Sequence, residues 1–177
     1  ASGVLKEMST SVVACPVDVE IYDVSGNLIH TMKDGVEESG TIGNIYYSVV
    51  HEPVKDDYIK IVRLPVNSGY SLKCKAVDLG MVDFHTSTIS DDGSEVQKSV
   101  FNIPVQKGNE IQISAISEEK TKCELIKDDK VVKEYEGQTS SEQYVSVTSI
   151  QINKKDLSLK EGERELIDFN ILPSNAT

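Results

Sequence analysis

Val17-Asp18-Val19-Glu20-Ile21-Tyr22, then Asp23-Val24-Ser25-Gly26-Asn27, then Leu28-Ile29-His30-Thr31-Met32 is the stretch that decides the fold. In its first six residues the aliphatic side chains fall on every second position, which puts them on one face of a strand. The five residues that follow are turn-formers, and Gly26 and Asn27 can take positive φ. The chain therefore reverses, and a second strand returns beside the first. One face meets a core and the other meets water, as in an antiparallel sheet.

The same period recurs along the chain. Tyr70, Leu72, Cys74 and Ala76 alternate with Ser71, Lys73 and Lys75; Phe101, Ile103 and Val105 repeat it, as do Ile111, Ile113 and Ala115. Further strands are expected at residues 45–50, 57–64, 82–88, 95–101, 122–126 and 131–135. Lys107-Gly108-Asn109 reads as a second hairpin turn before a strand at 110–116, and Lys127-Asp128-Asp129-Lys130 as a third. Strands spaced about ten residues apart with turn signals between them point to an all-β sandwich or barrel, and the expected fold is an antiparallel β-sandwich, Ig-like or jelly-roll-like. Residues 2–8 are the one helix candidate.

Composition narrows the classes of function. Of 177 residues, 29 are acidic and 18 are Lys or Arg, a net charge of −11. Phosphate backbones and anionic membrane surfaces need a cationic footprint, so no nucleic-acid partner is expected. No apolar run approaches the roughly 18–20 residues of a membrane span, so no membrane insertion is expected either. The chain opens on Ala1 without Met, which suggests a processed or excised piece whose targeting signal lay outside it.

The residues that carry chemistry elsewhere have structural readings here. Cys15, Cys74 and Cys123 are too widely spaced for a zinc knuckle or a CxxC redox pair. Cys74 and Cys123 sit in apolar rows, where a thiol behaves as a small hydrophobe. His30, His51 and His85 are isolated, with neither metal-ligand spacing nor a GxSxG nucleophile elbow to go with them. His85 alternates with Phe84 and reads as a surface or rim side chain. Asp56-Asp57, Asp91-Asp92 and Asp128-Asp129 lack calcium-loop spacing and fit turns, which favour Asp. Tyr46-Tyr47 is the one adjacent aromatic pair in a chain that is 6% aromatic and has no Trp. In a strand one of the two faces inward and the other solvent. No catalytic, cofactor-binding or metal residue is expected, and no cofactor.

Glu136-Gly137-Gln138-Thr139-Ser140-Ser141-Glu142 has no aliphatic side chain, as a linker should not. The expected organisation is a connector at 1–12, a β-sandwich module at 13–137, a linker at 138–144 and a second unit at 145–177.

Val147-Thr148-Ser149-Ile150-Gln151-Ile152, Leu157-Ser158-Leu159-Lys160-Glu161-Gly162-Glu163 and Ile171-Leu172-Pro173-Ser174-Asn175-Ala176-Thr177 follow one another in this second unit. In order and spacing they resemble the opening of a group 2 bacterial Ig-like (invasin/intimin-like) domain, truncated before the family's Trp-Ser-Ser-x-Asp continuation. The same resemblance accounts for the Asn-Ala-Thr sequon. Cys15-Pro16-Val17-Asp18-Val19-Glu20-Ile21-Tyr22-Asp23 with Gly26-Asn27-Leu28, and Gly69-Tyr70-Ser71-Leu72-Lys73, resemble accessory β-sandwich modules of secreted clostridial-type surface proteins.

These resemblances imply a secreted or cell-surface bacterial protein in which the chain is a non-catalytic accessory or spacer module positioning neighbouring domains. Two other functions stay open: an adhesin module that binds glycan or a host surface protein, and an accessory domain of an upstream hydrolase. Residues 145–177 are expected to pack on the first domain or to self-associate by pairing with a strand of another copy, because the apolar row Ile167, Phe169 and Ile171 would lack its partner sheet.

Overall fold

A computed structural model describes residues 8–14, 16–66, 68–89, 95–116, 121–139, 149–152, 156, 158–160 and 169–172. The chain divides into two compact units, Ala1–Ser140 and Ser141–Thr177. All regular structure among the described residues is β, and the first unit is an antiparallel sandwich.

Its strands are β1 (Met8–Ala14), β2 (Val17–Tyr22), β3 (Leu28–Met32), β4 (Glu38–Ile42), β5 (Ile45–Glu52), β6 (Asp57–Pro65), β7 (Ser71–Ala76), β8 (Gly80–Ile89), β9 (Glu95–Val105), β10 (Glu110–Ser114), β11 (Lys122–Lys127), β12 (Lys130–Glu136) and β13 (Gln138–Thr139). A seven-stranded sheet runs β13-β9-β8-β1-β6-β5-β4, and a six-stranded sheet runs β12-β11-β10-β7-β2-β3. The core lies between them. Val13, Val49, Val62, Leu64, Val82 and Phe84 face in from the first sheet, and Val17, Val19, Ile21, Leu72, Cys74 and Ile113 from the second.

Four expectations need correction. Residues 2–7 of the helix candidate lie outside the described residues, and from Met8 the connector expected at 1–12 is instead strand β1, in the middle of the larger sheet and paired with β6 and β8. Its inward face starts with serines, not aliphatics: Ser9 and Ser11 are buried, and Ser9 Oγ lies 3.0 Å from Thr86 Oγ1. A hydrogen-bonded hydroxyl can be buried, but it leaves no apolar period to read.

The linker also starts later than 138, because Gln138 and Thr139 pair with Ser99 and Lys98 as an edge strand. So short an edge needs only backbone hydrogen bonds, which its polar composition does not oppose.

Lys107-Gly108-Asn109 is not a hairpin but a crossing from β9 in one sheet to β10 in the other. Its backbone is tied to the end of β7: Gly108 N donates to Ala76 O at 3.2 Å, and Ala76 N donates to Asn109 O at 2.9 Å. Finally, residues 95–101 and the row that follows form one strand. Its register against β8 shifts between Val82 and Phe84, so Val100 and Ile103, three residues apart, both face the core.

In the second unit, β14 (Ser149–Ile152) pairs antiparallel with β15 (Phe169–Leu172), and Ile150 and Ile152 are exposed. The side chains of Ile167, Phe169 and Ile171 lie outside the described residues.

One edge of the sandwich is closed by side chains on β3, β4 and β5. The His30 and Tyr47 rings lie 4.0 Å apart between centroids, and His30 Nε2 lies 3.3 Å from Glu38 Oε1. Gly40 admits the Tyr47 ring, since a Cβ there would stand 2.6 Å from the phenol oxygen. Gly40→Ala should cost about 1–3 kcal/mol, the ordinary price of overpacking. Urea unfolding checks this, and the loss should shrink in a Tyr47→Ala background, where the obstruction is gone.

Candidate functional site

The position of greatest chemical interest is Lys60. On β6 it shares the inward face with Val62 and Leu64, and the registers set it between Val13 of β1 and Val49 of β5. All four neighbours belong to the core. Among the described residues Lys60 is the largest fully buried side chain, at 0% exposure. Lysines ordinarily keep the ammonium in water and bury only the stem. A wholly buried lysine requires a partner.

That partner is Asp34, on the crossing from β3 to β4. Lys60 Nζ contacts Asp34 Oδ1 and also donates to Tyr58 O at 2.8 Å. The crossing is held in turn by Asp18 of β2. Asp18 Oδ1 accepts from the Asp34 backbone N–H at 2.8 Å, and Asp18 Oδ2 accepts from Lys33 Nζ at 2.8 Å. Gly35 follows at φ +78, a conformation an L side chain rarely adopts. Strand β2, the crossing and strand β6 thus meet at one end of the sandwich.

Lys60 was open to detection by parity, since it shares its phase with Val62 and Leu64. Ile59 and Ile61, half-buried on the opposite face, hide that signal.

The sequence-nominated residues are dispersed. His30, His51 and His85 lie on β3, β5 and β8. His51 Nε2 lies 3.0 Å from Asp56 Oδ1, and its ring centroid is 5.0 Å from that of Tyr58. His85 is half-buried next to buried Phe84. Asp56, Asp128 and Asp129 take φ values of 52, 49 and 58, the left-handed turn conformation that Asp tolerates. Asp91-Asp92 and Cys15 lie outside the described residues. Among the described residues, no group of three or more His, Cys, Asp or Glu could hold a metal ion. Tyr46 is 38% exposed, while Tyr47 packs against the core.

Cys74 and Cys123 are free and buried. Burial pushes the Cys74 thiol far up and the Cys123 thiol up to about 12. Both are protonated at neutral pH, and a thiol in that state is neither nucleophile nor metal ligand.

The outer face of the six-stranded sheet carries a charge ladder. Lys75 Nζ lies 2.8 Å from Glu20 Oε1, Lys73 Nζ 3.5 Å from Glu110 Oε2, and Lys122 Nζ 2.7 Å from Glu124 Oε1. Acidic residues on β2 and β10 therefore flank lysines on β7. Burial raises the Glu20 carboxyl, but bonds from Lys75 and Tyr22 outweigh it and hold the group below its ordinary value. The Glu20 bond in turn raises Lys75 and Tyr22.

Comparison with protein families, curated proteins and solved structures finds no match. Local geometry is therefore the guide to function.

A carboxyl whose value is lowered on folding stabilises the fold above its unfolded value of 4.5 and loses that contribution as pH falls through the folded value. Glu20→Gln should cost about 1 kcal/mol at neutral pH, a charge-assisted bond discounted for a half-exposed lysine. Urea titrations across pH should show the deficit shrinking below pH 4.5.

Proposed function

We propose that the chain is a non-catalytic spacer module of a secreted or cell-surface bacterial protein, one that sets the position of neighbouring domains. The observation that supports this most is the outer face of the six-stranded sheet. Its cations are answered by anions on the adjacent strands: Glu20 opposite Lys73, Asp18 opposite Lys75, and Lys75 opposite Glu110. Such pairs add little stability, about 0–1 kcal/mol each. They do leave a face with its charges satisfied internally, which suits a surface that separates domains. The net charge of −11 keeps such a module soluble and apart from its copies.

The group 2 bacterial Ig-like resemblance of residues 145–177 fits this reading, since those domains follow one another as spacers. Neighbouring domains of the same polypeptide are then the partners.

Exchange of residues 8–139, in the protein that carries them, for an unrelated β-sandwich of matched end-to-end length tests the proposal. The activities of the neighbouring domains should survive the exchange and fall on simple deletion. Loss of those activities on exchange would contradict the spacer reading. Saturable binding on a glycan array, abolished by Tyr46→Ala, would make the chain an adhesin module instead.

A further inference from the structure

We propose that Lys60 and Asp34 condense into an intramolecular amide, a covalent tie between strand β6 and the crossing from β3 to β4. Three observations converge on it. The lysine is wholly buried on the inward face, between the core side chains of Val13 and Val49. Its Nζ contacts one carboxyl oxygen of Asp34, so the carboxyl carbon is the adjacent electrophile. Both reactants are also held in place: Tyr58 O accepts from Nζ at 2.8 Å, and Asp18 fixes the Asp34 backbone at 2.8 Å.

Amide formation from an amine and a carboxylic acid in water is opposed by ionisation of both groups and by dilution. Neither obstacle has the same force here. The fold holds the two groups in contact, which removes the dilution that limits a bimolecular reaction. A buried ion pair also carries a desolvation cost for each charge, which a neutral amide removes.

The step balances without a co-reactant. A proton passes from the Nζ ammonium to the Asp34 carboxylate, leaving an amine and a carboxylic acid. The nitrogen lone pair attacks Cγ, and an N–C bond forms. A second proton moves from nitrogen to the former acid hydroxyl, the C–O bond breaks, and its electron pair leaves with water. No atom changes oxidation state. Water has a way out, because the Asp34 side chain is 22% exposed while that of Lys60 is 0% exposed. Asp18 acts as a positioning residue, holding the crossing that carries the electrophile.

The intact mass of the purified, folded protein is the test. It should be lighter than the sequence mass by one water. Trypsin should fail to cleave after Lys60 and should release a branched peptide that joins the segments containing Lys60 and Asp34. Lys60→Met and Asp34→Ala should each show their full sequence mass. Asp34→Asn should form the same amide by losing ammonia instead of water, and so arrive at the wild-type mass. That variant keeps the side chain's size and guards against misfolding of the other two. A wild-type protein at full sequence mass, cleaved normally after Lys60, would overturn the proposal.

Discussion

A primary amine inside a β-sandwich is a constraint that the rest of one end of the fold must meet. Lys60 occupies a position that the strand period reserves for an aliphatic side chain, flanked by Val13 and Val49. Left unanswered, its charge would cost several kcal/mol of desolvation. The answer is Asp34, and bringing Asp34 inward fixes the path of the chain from β3 to β4. Asp18 on β2 holds that path by bonding both Lys33 Nζ and the Asp34 N–H. The crossing joins the edge of one sheet to the edge of the other, so a single buried amine ties strand placement in both layers.

How much of this was legible in the sequence depended on whether the signal was local. Val17–Tyr22 and Ser71–Ala76 announced themselves because aliphatic residues face a core and charged ones face water. Strand β1 did not, since Ser9 and Ser11 replace aliphatics on its buried face: Ser9 Oγ pairs with the Thr86 hydroxyl, while Ser11 Oγ is buried without a hydrogen-bond partner among the described residues. Strand β4, Glu-Ser-Gly-Thr-Ile at a sheet edge, buries too little to show a period. The Lys107–Asn109 turn was visible as a turn, but its residues do not specify which sheet receives the next strand. Bonds to Ala76, remote in sequence, decide that. Lys60 was hidden for a similar reason: its partner lies 26 positions away on a loop.

The two faces of the module do different things. Inside, apolar packing and the Lys60–Asp34 pair define the layers. Outside, lysines and carboxylates on neighbouring strands of the six-stranded sheet neutralise one another, with Glu20 held ionised by Lys75 and Tyr22. On the proposed reading, a spacer benefits from both: an interior that resists opening and a face with its charges already paired. A covalent tie at Lys60 would extend the same logic, because it spans the crossing where the two sheets exchange chain.

If Asp34 is what makes Lys60 tolerable in the core, urea unfolding of Asp34→Ala will show it. Removing the acid strands a buried amine and should cost about 3–5 kcal/mol. Adding Lys60→Met should recover the part of that loss due to the stranded charge, because an apolar chain of similar length fills the same slot. An Asp34→Ala protein within about 1 kcal/mol of wild type, the range of an ordinary surface change, would contradict the account.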